Sequence, residues 1–209
     1  MRSKINFRLC LVTNRNLLPP DTLVDRIARL AECGLRAVQI REKDLSARDV
    51  ISLAEKVRKR TTAHSLDLFI NDRADIARAV RADGLHIPEH GFPVDEARRV
   101  VAEKLIGKSA HSLESALKWE SEGADFITFG PIYDTPSKRE FGKPQGLETL
   151  REICFQVKIP VFAIGGMTPE RSGYCIDQGA HGVFVMGDLL QSENPISRFS
   201  EYTAILPSA

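Results

Sequence analysis

Gln39, Arg41 and Lys43 alternate along the chain, so an extended backbone there points all three side chains to one side. Two cations that close together call for an anion, either a substrate group or a scaffold carboxylate such as Glu42 or Asp44. Asn71-Asp72 sets a hydrogen-bonding amide beside a hard oxygen donor of the kind Mg2+ prefers. Asp72 also stands just before residues 73–80 and would cap a helix there equally well. His111 lies between Ser109 and Ser112, where Ser112 opens a helical segment. A helix N-terminus disfavours an imidazolium and keeps the ring neutral for proton transfer, while a nearby substrate phosphate would push the other way. A scaffold hydrogen bond is the alternative for this histidine. Thr135, Ser137 and Lys138 offer two hydroxyls and an ammonium suited to phosphate oxygens, or simply a solvated loop. Gly165-Gly166, just before Thr168-Pro169, allow an anion to approach the backbone, although a tight turn asks for no more than this.

These residues follow short apolar runs. The runs are Phe7-Val12, Ala37-Arg41, Leu68-Asn71, Gly84-Ile87, Leu105-Ser109, Phe126-Gly130, Val161-Gly165 and Gly182-Met186, each too short for an ordinary helix and rich in Val, Ile, Leu and Phe. Between them, Asp21-Glu32, Ser46-Thr61, Pro93-Ala102, Ser112-Glu122, Leu147-Gln156 and Thr168-Gln178 repeat apolar residues at threes and fours, as crossover helices do. Helix stops recur as Cys33-Gly34, Gly123-Ala124 and Gly179-Ala180. Parallel strands need such crossovers, and eight units can close as an α/β TIM (β/α)8 barrel, a single domain over residues 1–209. Active sites of that fold lie at the C-terminal strand ends, where the polar clusters fall, and phosphate sites commonly follow strands seven and eight. Gly165, Gly166 and Gly187 occupy those places. The stretch from Tyr133 to Gly146 is too long for a routine βα connection and is a candidate lid.

Composition narrows the classes. A formal net charge of +1, with both signs mixed along all 209 residues, gives no basis for nucleic-acid or polybasic membrane binding. No run approaches the roughly 18 apolar residues of a membrane span, and residues 1–7 lack an apolar secretory core. Cys10, Cys33, Cys154 and Cys175 show no ligand spacing and fit reduced thiols. A soluble, unprocessed, cytoplasmic protein acting on a small molecule is expected, with a homo-oligomer left open.

Seven phrases in order resemble the thiamine phosphate synthase/TenI family across almost the whole chain. They are Gln39-Ile40-Arg41-Glu42-Lys43, Ile70-Asn71-Asp72-Arg73, Ala82-Asp83-Gly84-Leu85-His86, Ser109-Ala110-His111, Gly130-Pro131-Ile132-Tyr133, Thr135-Pro136-Ser137-Lys138 and Ala163-Ile164-Gly165-Gly166-Met167. The resemblance implies a thiamine-biosynthetic TIM barrel. In the synthase branch, a pyrimidine diphosphate loses pyrophosphate with Mg2+, and the thiazole phosphate nitrogen captures the resulting carbon. In the TenI branch, a histidine moves a proton to convert a thiazole phosphate tautomer to its aromatic carboxylate form, without a cofactor. By the same resemblance, Arg41, Lys43, Asn71, Ser109, Thr135, Ser137 and Lys138 handle the pyrimidine and its diphosphate. Asp72 matches a Mg2+ ligand, and Gly165 and Gly166 match the thiazole phosphate site.

The departures from the family pattern weigh on the choice of branch. Synthases usually read His-Leu/Ile-Gly-Gln-x-Asp after strand four, the Asp being the second metal carboxylate. This chain reads His86-Ile87-Pro88-Glu89-His90-Gly91. Asp72 alone, or with Glu89, would then have to serve. The replacement and Gly165-Gly166-Met167-Thr168-Pro169-Glu170-Arg171 lean towards TenI, whereas Asp72 leans back. The sequence therefore places a thiazole phosphate tautomerase first, with His111 as proton carrier, Arg41 and Lys43 on the substrate carboxylate, and amides near Gly166 and Gly187 on the phosphate. Thiamine phosphate synthase with Mg2+ is the alternative, and a non-catalytic thiazole phosphate-binding regulator the third reading.

Overall fold

The computed structural model describes residues 5–135 and 144–208. Eight parallel strands close into a barrel in chain order, with β1 hydrogen-bonded to β8. They are β1 (Leu9–Val12), β2 (Ala37–Ile40), β3 (Asp67–Asn71), β4 (Gly84–Ile87), β5 (Leu105–Ala110), β6 (Phe126–Phe129), β7 (Val161–Ile164) and β8 (Gly182–Val185). Around them run α1 (Leu23–Glu32), α2 (Ala47–Thr61), α3 (Ala74–Ala79), α4 (Val94–Val101), α5 (Leu113–Ser121), α6 (Gly146–Gln156), α7 (Pro169–Asp177), α8 (Gly187–Leu190) and α9 (Pro195–Ile205). Side-chain caps fix several helix starts: Ser46, Ser112 and Thr168 accept from the backbone N–H groups of Asp49, Ser115 and Arg171. The expected barrel is the observed one. The two C-terminal helices fall outside the amphipathic segments read from the sequence, though Asn194-Pro195 carries both a cap and a first-turn proline. Among the described residues no helix is long and apolar enough to cross a membrane.

The core has two parts because each strand buries both faces. One part packs strands against helices. The other fills the barrel with Phe7, Phe69, Phe126, Phe162 and Phe184, whose rings meet mostly edge to face at centroid separations such as 5.4 Å for Phe126 and Phe162. Glycines make room for them. A Cβ on Gly107 would lie 2.2 Å from the Phe126 ring, and one on Gly84 2.2 Å from the Phe69 ring. Gly107→Ala should therefore cost about 3 kcal/mol by overpacking. In a thermal unfolding scan that is a midpoint drop of about 10 °C, and an unchanged midpoint would show that the plug yields freely.

Asp67 opens β3, where burial, with Asp83 alongside, raises its carboxyl to about 6. A raised carboxylate stabilises the fold only while protonated, so its contribution is lost as pH rises from about 4 through 6. His181 runs the other way: burial and neighbouring Arg8 push it down to about 4, so stability is lost as pH falls below about 6.5. The two offset each other in the wild type. Asp67→Asn separates them and should stabilise the protein by about 1 kcal/mol at pH 8, after allowance for solvent screening, with no gain at pH 4. Urea unfolding at the two pH values measures it.

Candidate active site

The aromatic plug closes one end of the barrel, and the other end opens into a cavity of about 410 Å3. Gln39, Arg41, Lys43, Asn71, Ser109 and His111 line it, as do Thr135, Gly165, Gly166 and Gly187. Ser137 and Lys138 lie outside the described residues. Asp72 is exposed beside the mouth rather than in the lining.

The floor is a hydrogen-bond chain running across five strands. Gln39 Nε2 donates to Asn71 Oδ1 and to His86 Nδ1, both at 3.0 Å. The amide is the donor, so His86 Nδ1 accepts and its Nε2–H points to Thr128 Oγ1 at 3.0 Å. Thr128 in turn donates to Ser109 at 3.3 Å. Gln39, His86 and Thr128 are each at most 4% exposed. The network holds Asn71 and Ser109, the two members that reach up into the cavity, at fixed positions. His86 is not among the site residues expected from the sequence; its partners come from β2 and β6, which no local pattern reveals.

On the β2 side the strand ends at Ile40, yet Arg41 and Lys43 both reach the cavity. Thr13 Oγ1 accepts the Arg41 N–H at 2.9 Å and fixes the turn. The expected alternative, pairing of these cations with Glu42 or Asp44, is overturned. Arg15 takes both carboxylates: the buried Glu42 accepts its N–H and guanidinium, and Asp44 binds the same guanidinium at 2.6 Å and 2.7 Å. Among the described residues Arg41 and Lys43 form no ion pair. Burial lowers the Arg41 pKa, against the pull of Glu42, so its charge is partly desolvated and binds an anion the more strongly.

The capping alternative for Asp72 is overturned as well. Helix α3 starts at Ala74 with Arg73 in the cap position and no side-chain cap bond, because Asp72 sits at φ 65° and turns its carboxylate away. That carboxylate lies over the bare side of Gly91, where a Cβ would come within 2.8 Å of Oδ1. A side chain at 91 would also meet Ile87 Cγ2 at 2.7 Å and Pro88 Cδ at 3.0 Å, so glycine is what lets the loop close against Asp72. Glu89, on the same loop, lines the cavity.

His111 follows β5 as expected, at the start of α5. Its Nδ1 is hydrogen-bonded to the Gly130 carbonyl. A carbonyl only accepts, so Nδ1 carries a proton and the neutral tautomer this contact selects has its lone pair on Nε2. The His111 N–H donates to Glu89 Oε1 at 3.1 Å and Ser115 Oγ at 3.2 Å. Opposite, Gly165 and Gly166 adopt φ 101° and 66°. Side chains there would collide with Pro131 and Tyr133 at 2.5 Å and 2.8 Å. Glycine is thus needed for the backbone conformation and for the start of the β6–α6 connection, besides any ligand. Beside Gly187, Asp188 is clamped by Arg198 at 2.7 Å and 2.8 Å and by the Tyr202 hydroxyl at 2.8 Å.

The family model described as thiamine monophosphate synthase matches the chain over residues 9–189. The chain belongs to this family. It is 45% identical to "Putative thiamine-phosphate synthase 2" of Aquifex aeolicus, across 84% of this chain and 94% of that protein. It is 35% identical to the thiamine-phosphate synthase of Clostridium novyi, across 91% and 94%. Among solved structures, the thiamine phosphate pyrophosphorylase of Pyrococcus furiosus superposes with a TM-score of 0.86 at 31% identity, covering 95% of this chain and 94% of that one.

Proposed function

We propose that this barrel is a thiamine-phosphate synthase, joining a pyrimidine diphosphate to thiazole phosphate with release of pyrophosphate. The observation that carries the proposal is one cavity lined by two kinds of anion site: the cations Arg41 and Lys43 after β2, and the backbone of Gly165, Gly166 and Gly187 after β7 and β8. Asn71, Ser109 and His111 line the same cavity. The order read from the sequence is thereby reversed. Relatives at 45% and 35% identity are named for the coupling reaction, and their names support it here.

In this reading Arg41 and Lys43 hold the diphosphate, Asn71, Ser109 and Thr135 orient the pyrimidine, and the glycine backbone receives the thiazole phosphate. The C–O bond breaks with its electrons leaving on pyrophosphate, and the thiazole nitrogen lone pair forms the new C–N bond. Mg2+ supplies charge neutralisation on the leaving diphosphate. Among the described residues no group of three or more His, Cys, Asp or Glu converges. Mg2+ usually rests on one or two protein carboxylates plus substrate phosphates. Asp72, an exposed carboxylate beside the mouth, and Glu89 in the cavity lining fit that demand and would hold it.

A second reading, the thiazole tautomerase, rests on two observations: Gly91 in place of a carboxylate, and a His111 ring with its free lone pair on Nε2. There Arg41 and Lys43 hold the substrate carboxylate and no metal is needed. One assay separates the readings. Each thiazole phosphate isomer is incubated with the protein, with and without pyrimidine diphosphate and Mg2+. Thiamine phosphate is expected only when both substrates and Mg2+ are present. Isomer conversion without the pyrimidine would establish the tautomerase instead, and binding without turnover a regulator.

A further inference from the structure

Side chains of β5 alternate strictly. Leu105, Gly107 and Ser109 face the barrel interior, and Ile106, Lys108 and Ala110 face the helices. Lys108 therefore sits where the other seven strands present apolar groups, and it is 1% exposed. A lysine is almost never buried so fully unless its ammonium is engaged. Here Nζ donates to the carbonyls of Phe92 at 3.1 Å and Gly91 at 3.3 Å, and it lies 4.3 Å from the centre of the Trp119 ring. Burial lowers its pKa, and Glu122, Asp72 and Glu89 act against that shift while Lys118 adds to it. An apolar residue would pack on Trp119 at less desolvation cost, so the cation needs another reason.

That reason lies in what the two carbonyls belong to. They close the β4–α4 loop, a turn pinned internally by the Gly91 N–H to Pro88 carbonyl bond at 2.9 Å. The loop carries Glu89, and Glu89 Oε1 receives the His111 N–H. We propose that Lys108 is a positioning residue, an internal clamp on the β4–α4 loop that sets Glu89 and, through it, the main chain of His111 at the rim of the reaction cavity. The clamp serves either reaction proposed for this cavity. It also places a fixed positive charge behind Asp72 and Glu89, offsetting the repulsion between those carboxylates and an incoming anionic substrate.

The test compares Lys108→Met, Lys108→Arg, Glu89→Ala and the Lys108→Met/Glu89→Ala double variant by amide hydrogen exchange and steady-state kinetics. Lys108→Met should speed exchange at both Gly91 and His111 by about tenfold or more, because the loop then opens locally. Glu89→Ala should speed His111 alone, with Gly91 unchanged. Turnover should fall about tenfold in Lys108→Met with KM for thiazole phosphate within about threefold, and the double variant should lose little more than the worse single one. Lys108→Arg should restore both protection and turnover. Unchanged protection at Gly91 in Lys108→Met, or additive losses in the double variant, would overturn the clamp. If Lys108→Met fails to fold, Lys108→Arg and Glu89→Ala still decide: normal His111 exchange in Glu89→Ala breaks the relay. The exchange readout needs no turnover, so failure of the proposed reaction and failure of the clamp are distinguishable.

Discussion

Asp72→Ala should reduce Mg2+-dependent formation of thiamine phosphate by about 100-fold or more, since a metal acting on the leaving diphosphate contributes several kcal/mol. The carboxylate it removes has no structural duty to confuse the result. Asp72 is exposed and makes no helix cap. Stability should fall by only about 1 kcal/mol, the cost of placing alanine at a left-handed φ of 65° that aspartate tolerates better. Affinity for thiazole phosphate should hold, because Gly165 and Gly166 lie on β7's loop at the far end of the cavity. Adding a carboxylate at Gly91 is no clean counterpart, since a Cβ there would lie 2.7 Å from Ile87 Cγ2 and 2.8 Å from Asp72 Oδ1 and force the loop to shift. Coupling that persists unaltered in Asp72→Ala would remove this residue from the reaction and with it the metal assignment.

The barrel could be read from the chain because each of its strands is a local signal: a short Val/Ile/Leu/Phe run followed by a capped amphipathic segment. The strand ends then place the polar clusters without further information, which is why ten expected site residues, from Gln39 to Gly187, share one cavity. What local pattern cannot show is the partner of a charge. Arg15 competes for Glu42 and Asp44 from 27 and 29 residues away, and that competition is what releases Arg41 and Lys43 for a ligand. Asp72 satisfies every rule for a cap, yet its left-handed backbone overrides the rule. Asp188 would look like a misplaced anion next to Gly187 until Arg198 and Tyr202 of α9 are seen around it. Lys108 is invisible for the same reason, since its carbonyl partners and Trp119 belong to separate elements. In each case sequence gave the group, and tertiary contact decided whether it was spent on the scaffold or kept for chemistry.

His111→Asn is the substitution that most sharply separates proton transfer from coupling. Asparagine can still donate from its side-chain amide towards the Gly130 carbonyl, so the contact that anchors the imidazole is reproducible, while the lone pair on Nε2 is lost. The backbone link from residue 111 to Glu89 is untouched by a side-chain change. An isomerase that carries its proton on Nε2 should lose about 100- to 10,000-fold in turnover, the usual worth of a positioned general base. A coupling enzyme breaks a C–O bond to a good leaving group and needs the ring only to orient substrate, so its loss should stay within about tenfold. For the synthase, the expected pair of results is therefore a small effect of His111→Asn and a large effect of Asp72→Ala in the same assay. The inverse pair, with His111→Asn inactive and Asp72→Ala unaffected, would transfer the chemistry to the imidazole. Arg41 and Lys43 would then be holding a carboxylate where the coupling reaction requires a diphosphate.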